Sequence, residues 1–473
     1  MGGEISELEA AMSPSHFRPA APPRPNLPPK LWRRLSGELA TNWVAGWPKA
    51  AFRERYMFAR VITVRNHIIN DPDAIGHMLL DNAANYEKPA LIKRILSPAV
   101  GWNLLVADGD VWREQRRLMA PVFTPAAVES FTRIFREVAL EQTDRWARAA
   151  PNRVDVAEAA THATFEVMSR SLFSGDPVLT SQEASGHITA TLASAGKYSA
   201  VRLLGMPWLD RSQIRRDGLA GSAFLRAKLT AFIRRRQADP SPPKDFMTRL
   251  LDAFAETHPP EEAAELALGN GILFFIAGHE TTANALTWAL YLMGGAPEVQ
   301  ERAAAEAVCA LEAARSPAQL IGRLPYLRQV LDETMRLYPP ATRMDRSPLT
   351  DDVLCGRPVR KGDMVTVWPW LLHRHEALWD EPDLFNPENF SPEATAKHHR
   401  FQYIPFGAGP RICIGQAFAI NEALLILAEW LSRYRFSLDP AHQVAPTAAV
   451  TLRPRGGMPM YIEPRQAAGQ RAA

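Results

Sequence analysis

One of the three cysteines in this 473-residue chain stands where its chemistry is constrained. Cys413 lies near the end of Phe406-Gly-Ala-Gly-Pro-Arg-Ile-Cys-Ile-Gly415, whose glycines and proline specify irregular backbone with some residues at positive φ. It also stands just where Gln416-Ala-Phe-Ala-Ile420 begins a helix. A thiol there faces the positive end of the helix dipole and unpaired N–H groups, both of which favour the thiolate. Arg411, two residues away, suits the same anion. A small buried residue at a tight helix entry is the plainer reading of Cys413 alone. The glycines tip the balance, because they let a flat macrocycle approach the backbone. Zinc is disfavoured, since it usually takes four protein ligands and no second Cys or His stands at ligand spacing. One axial cysteine with the equatorial ligands supplied by a cofactor describes a haem thiolate, whose sulfur favours O–O cleavage.

Three further groupings carry chemistry of their own. Ala277-Gly-His-Glu-Thr-Thr282 interrupts an apolar stretch, and helical spacing puts Ala277, Glu280 and Thr281 on one face. Gly278 removes a side chain there, and the Thr281 hydroxyl can bond back to the Ala277 carbonyl and bend the helix. Such a groove has room for O2 and a water. A polar patch satisfied by internal hydrogen bonds is the alternative, against which stands the cost of burying charge. His279 falls on another face and reads as structural. Glu333 and Arg336 sit at i, i+3, within pairing reach, although a surface ion pair of little worth is the commoner case. Trp112 and Arg116 lie one turn apart, where a solvated basic helix is the alternative.

The decapeptide around Cys413 resembles the haem-binding pattern F-G-x-G-x-R-x-C-x-G of the cytochrome P-450 family at every fixed position. Ala277–Thr282 is similar to the family's A-G-x-[DE]-T-T motif, and Glu333-Thr-Met-Arg336 before Leu337-Tyr-Pro-Pro340 is similar to its E-x-x-R helix. With Trp112-x-x-x-Arg116, the motifs run in order from about Asp108 to Gly415, and family-like character covers about residue 31 onward. The resemblance implies haem b (iron protoporphyrin IX) on Cys413, with Thr281 steadying activated oxygen and Glu280 helping to deliver protons. It implies that Trp112, Arg116, Arg346 and Arg411 meet the propionates, a task suited to arginine's planar fork, and that Phe406 and Ala277 adjoin the cofactor. A buried Glu333–Arg336 pair would hold the coil below the haem. The family completes that group with an Arg, where Pro387-Glu-Asn-Phe390 offers Asn389 instead.

The activity so implied inserts one atom of O2 into a C–H or C=C bond of an apolar small molecule and reduces the other to water. No flavin or iron–sulfur domain follows Cys413, so a separate ferredoxin or flavodoxin is the expected electron donor. Arg113, Arg117 and His398-His-Arg400 form a candidate docking face, with solvated charges as the alternative. Phe274, Phe275, Ala277 and the loop Ala341–Met344 are expected to line an apolar distal pocket. Arg343 in that loop could pair with a substrate carboxylate, although a structural role is the plainer reading. Two rivals to monooxygenation are a reductase-independent haem-thiolate isomerase or peroxygenase, and a non-enzymatic haem carrier or sensor. The Glu280–Thr281 pair weighs against the first.

The elements that must position these residues are mostly helical. Pro259-Pro260-Glu261-Glu262 marks a helix start, and apolar character runs from there to about Met293, through the core. Helices are expected over about Asp108–Ala150 with a break at Pro121/Pro125, over much of 154–235, and around Pro297–Ala314, Pro325–Leu337 and Gly415–Tyr434. An early strand pair, or a strand ending near Asp71-Pro72, is expected over Ala59–Asn70, with strands at Val353–Cys355 and Met364–Trp368 and a hairpin over Val450–Glu463. Trp379–Phe406 reads as coil. The fold class is mainly α with a small β region, the cytochrome P-450 fold, in one domain over residues 31–473 after a flexible Pro-rich arm at 1–30.

Net charge is +3, pI is about 8.7 and no dense Lys/Arg run occurs, so nucleic acid is not an expected partner. Three scattered cysteines make no disulfide framework, which points to a reducing compartment. No segment has the length of a membrane span or signal peptide. A cytoplasmic monomer of the soluble bacterial type is the expectation.

Overall fold

Pro260, Glu261 and Glu262 open a 36-residue helix that ends at Gly294-Gly295. A proline in the first turn has no N–H to leave unpaired, and carboxylates there complement the helix dipole. In the computed structural model this element, about 54 Å long, is the central beam of the fold. The structure describes residues 17–30, 37–61, 64–179, 181–196, 206, 209–210 and 212–465.

Before the beam come α1 (Ala90–Val100), α2 (Gly109–Met119), α3 (Thr132–Ala149), α4 (Val156–Phe173), α5 (Gln182–Gly196), α6 (Gln213–Ala238) and α7 (Phe246–Ala255). The beam itself is α8 (Pro260–Gly295). After it come α9 (Pro297–Ala313), α10 (Pro325–Leu337) and α11 (Gln416–Arg433). Helix α8 is buried over most of its circumference and packs most extensively on α4, with α6, α7, α10 and α11 around it. No helix among the described residues is long and apolar enough to cross a membrane.

The β portion is small. Strands β1 (Tyr56–Val61) and β2 (Val64–Ile69) form the expected early hairpin. With β3 (Tyr86–Glu87), β5 (Met344–Pro348) and β8 (Met364–Val367) they make a five-stranded sheet ordered β1-β2-β8-β5-β3. Only β2–β8 is parallel, and Arg346 pairs in register with Val365. Strand β4 (Arg153–Asp155) belongs to a second sheet, while β6 (Asp352–Leu354) and β7 (Arg357–Val359) form a short ladder of their own.

The C-terminal segment departs from expectation. Strand β11 (Leu452–Pro454) pairs back to β10 (Pro446–Ala448), whereas β12 (Pro459–Pro464) joins β4 and β9 (Tyr434–Leu438). The two halves of the expected hairpin therefore never pair with each other. Gly456 and Gly457 both have positive φ and turn the chain away, and Asp155 accepts the Met458 N–H on its new course.

The N-terminal arm also differs. Residues 1–16 lie outside the described residues, but 17–25 are not a free tail. Phe17 packs edge-on against Tyr291, Ala20 donates its N–H to the Tyr291 hydroxyl and accepts from Tyr338, and Arg24 pairs with Asp383. Proline content predicted flexibility; the aromatic surface it meets overrides that.

Candidate active site

The coil before α11 is built around close backbone approaches. Gly409 has φ +69° and lies so near the Leu79 carbonyl that a β-carbon would overlap it at 1.7 Å. Gly407 also has positive φ. Two bonds close the loop, from Gly407 N–H to the Ile404 carbonyl at 3.0 Å and from Cys413 N–H to that of Phe406 at 2.9 Å. The result is a Cys413 that sits deep in the protein yet presents open surface. Both hold only if its sulfur faces an internal opening. Burial pushes the thiol pKa up, opposed by a hydrogen bond from the Gly415 N–H and by the charge of Arg116. The expected thiolate is thus not favoured by the protein alone. Nor is Arg411 the cation beside it: Arg411 turns away to Asp108 and the Ala107 carbonyl, stacked 4.3 Å above Trp112.

Helix α8 carries a second accessible surface inside the fold. Residues 272–276 are buried, then Ala277 is exposed and Gly278, Glu280 and Thr281 are half-buried. A stripe of one helix face is therefore bare in the middle of the molecule. Thr281 donates to the Ala277 carbonyl at 2.8 Å, as the spacing predicts. Gly278 has a different reason from the one expected: a β-carbon there would meet Met168 of α4 at 2.4 Å, so the glycine seats a neighbouring helix. His279 is buried, hydrogen-bonded to the Phe275 carbonyl at 3.0 Å and edge-on to Phe165. Phe275 shares that side and is fully buried among Phe165 and Phe173, so it does not line the opening. The correction is geometric, since Phe274, Ala277 and Thr281 follow one stripe at i, i+3, i+7 and Phe275 stands about 100° round from it.

Residues 52–458 match the cytochrome P450 family. The chain belongs to that family. Cytochrome P450 4B1 of Rattus norvegicus is 30% identical over 395 residues, 77% of this chain and 75% of the relative. Putative cytochrome P450 132 of Mycobacterium tuberculosis is 30% identical over 404 residues, 82% of this chain and 86% of the relative. Protein LUTEIN DEFICIENT 5, chloroplastic, of Arabidopsis thaliana is 27% identical over 421 residues, 84% and 70% respectively. The cytochrome P450 family implies haem b with an axial cysteine thiolate.

Two of the predicted arginines have no carboxylate ion pair among the described residues. Arg346 on β5 is buried, donates to the Asp345 carbonyl as its one hydrogen bond among the described residues, and its pKa is lowered to about 10 by burial and by Arg411. Arg116 is half-buried and has no carboxylate partner among the described residues. Sequence reasoning missed Lys88. Its ammonium makes no ion pair among the described residues, and its pKa falls to about 7 through burial and the charges of Arg346 and Arg411. Only its place before helix α1 could have pointed to it, and Tyr-Glu-Lys-Pro carries no motif.

The Cys coil rests on α10. Glu333 and Arg336 are fully buried and bidentate, at 2.6 and 2.7 Å, which excludes the surface-pair reading. Arg336 also donates to the carbonyls of His373, Pro382 and Leu384. Asn389 takes the place of the family's arginine by donating to both Glu333 oxygens at 3.2 and 3.3 Å. His373 in turn accepts the Ile404 N–H at 3.0 Å, just ahead of the Cys coil. Arg343 is paired with Asp345 at 2.7 Å between Trp43 and Trp368, which favours its structural reading.

Proposed function

We propose that this cytochrome P450 is a monooxygenase that holds haem b on Cys413 and inserts one atom of O2 into an apolar organic substrate. The observation that carries the reading is that Cys413, deep in the fold, and the Ala277–Thr281 stripe of the central helix both keep accessible surface, which a haem between them would cover. The cations suit a flat dianion: Lys88 feels the charges of Arg346 and Arg411, and Arg346 that of Arg411, with Asp108 and Asp345 offsetting this only in part. Arg116 lies near Cys413, and a pair of propionates would supply further negative charge. On this reading Trp112 and Arg411, which stack on each other, would join that group, and Phe406, whose carbonyl accepts the Cys413 N–H, would adjoin the haem.

Bound iron supplies the redox chemistry and the positive charge that a buried thiolate needs. The chain's own residues do the rest. The Gly415 N–H and Arg116 stabilise negative charge on the Cys413 sulfur. Thr281 offers a hydroxyl at the bare stripe, and Glu280, one residue earlier, offers a carboxylate as proton carrier. Phe274, tilted against Phe123 and edge-on to Phe246, forms apolar wall.

Electrons come, on this reading, from a separate ferredoxin or flavodoxin. The proposed docking face is reduced to Arg117 and Arg400, because Arg113 pairs with Asp110, His399 pairs with Asp73, and His398 packs on Trp379 with its pKa lowered by burial. A single catalytic domain over 31–473, monomeric and cytoplasmic and of the soluble bacterial type, completes the proposal.

The test has two stages. The reduced protein under CO should show the long-wavelength Soret band of thiolate ligation, and Cys413→Ser should lose it. Product should then form only with NAD(P)H and redox partners; turnover of a hydroperoxide alone would replace this reading with the peroxygenase or isomerase one.

A further inference from the structure

Glu280 is not isolated on its stripe. The Thr451 hydroxyl donates to its Oε1 at 2.7 Å, from the turn between β10 and β11. That turn is held in place twice over. Thr451 bridges Ala341, the Leu452 N–H binds the Pro340 carbonyl at 3.0 Å, and Trp288 of α8 donates to the Leu452 carbonyl at 3.2 Å. Two backbone contacts and one indole N–H thus bring one hydroxyl to one carboxylate.

Three buried polar atoms near this junction have no hydrogen-bond partner among the described residues: Glu280 Oε2, Asn284 Nδ2 and Thr342 Oγ1. Asn284 is 6% exposed and one turn beyond Glu280 on the same helix, while Thr342 is fully buried beside Ala341, the residue bridged to Thr451. Buried polar groups are seldom left unsatisfied, and a donor, a carboxylate oxygen and a hydroxyl that can do either suit ordered water.

We propose that Glu280, Asn284, Thr342 and Thr451 form a proton port to the oxygen-activation site, with Thr451 as the residue that positions Glu280 in it. The inference rests on the monooxygenase reading, in which substrate, O2, two electrons and two protons become hydroxylated product and water. Each turnover consumes both protons, and the port is their route to Glu280.

The haem-loaded full chain tests this in two ways. In carboxyl-region infrared spectra the Glu280 band is identified by its loss in Glu280→Gln. Thr451→Val should shift that band, and Thr451→Ser should leave it in place. With redox partners and dodecanoic acid, limonene or ethylbenzene as probe substrates, Thr451→Val and Asn284→Leu should lower product per NAD(P)H roughly fivefold, the size of one hydrogen bond. Both should raise the solvent deuterium isotope effect, with spectral binding of the probe unchanged and coupling recovered in Thr451→Ser. An unmoved band in Thr451→Val overturns the port. So does a moved band with unchanged coupling and isotope effect, and Asn284→Leu decides alone if Thr451→Val fails to take up haem. Wild-type protein that makes no NAD(P)H-dependent product fails the monooxygenase reading instead.

Discussion

Lys88 and Cys413 place opposite demands on proton balance at the proposed haem site. Cys413, its thiol pKa raised by burial, gives up a proton when it ligates a metal, so affinity should rise with pH. Lys88, lowered to about 7, is neutral at alkaline pH, and two propionates would draw a proton back onto it. Haem binding then takes up a proton above pH 7, and affinity should fall with pH on this account. The two tendencies offset each other in the wild type, whose haem affinity between pH 7 and 9 should be nearly flat. Lys88→Met removes the uptake alone, so its affinity should climb with pH by up to about tenfold per unit. Titration of haem-free protein with haem at pH 7, 8 and 9 checks this, and parallel curves for the two proteins would rule it out. Legibility in the sequence divides along the same line. Cys413, Glu280 and Thr281 were readable because each sits in a local pattern whose spacing has a chemical meaning. Lys88 was not, because its cationic neighbours, Arg346 and Arg411, lie hundreds of residues away and only the fold brings them together.

At the scale of elements, helices were legible and strand partners were not. The limits of α8, α9 and α10 follow from a proline at each start, joined by acidic residues in α8 and α9, and from glycines or loss of period at their ends. The 3.6 period was also enough to predict the Thr281–Ala277 bond, but it needed the neighbour α4 to show that Phe275 and Gly278 face away from the opening. Strand β12 pairs with β4, some three hundred residues earlier, and no local pattern encodes such a choice. The buried group on α10 allows a sharper statement. Asn389→Ala would remove a donor from both Glu333 oxygens and leave Arg336 and the Asn386 N–H to hold the carboxylate. The expected loss is about 1–3 kcal/mol of stability in chemical denaturation. Glu333→Gln breaks the buried pair itself and should cost about 3–5 kcal/mol, with loss of haem incorporation because the coil loses its anchor. An Asn389→Ala protein as unstable as Glu333→Gln would show that the amide, not the ion pair, holds the coil.

For the whole molecule, two buried groups should shape stability against pH in opposite senses. His373, fully buried and accepting the Ile404 N–H, has its pKa lowered from 6.5 to about 3, chiefly by burial. Between those values the unfolded chain binds a proton that the folded chain refuses. Its contribution is whole above pH 6.5 and is lost as pH falls toward 3. Glu422 on α11 is fully buried, with Thr282 on α8 as the polar side chain that faces it and eases its charge, although the Thr282 hydroxyl donates to the Gly278 carbonyl. Burial raises its pKa well above the ordinary 4.5, so the folded chain keeps a proton that the unfolded chain releases. That makes stability fall as pH rises above 4.5, the reverse of His373. Glu422→Gln keeps shape and polarity but cannot ionise. It should change stability little at pH 4.5 and raise it progressively at pH 6, 7 and 8, by on the order of 1 kcal/mol per pH unit until the folded-state pKa is reached. The acid limb set by His373 should stay where it is, because the two groups lie on different supports, one under the Cys coil and one between α8 and α11. Urea midpoints measured at those four pH values decide it. A gain of the same size at every pH would mean that Gln merely packs better there, and that Glu422 is not held protonated in the folded protein.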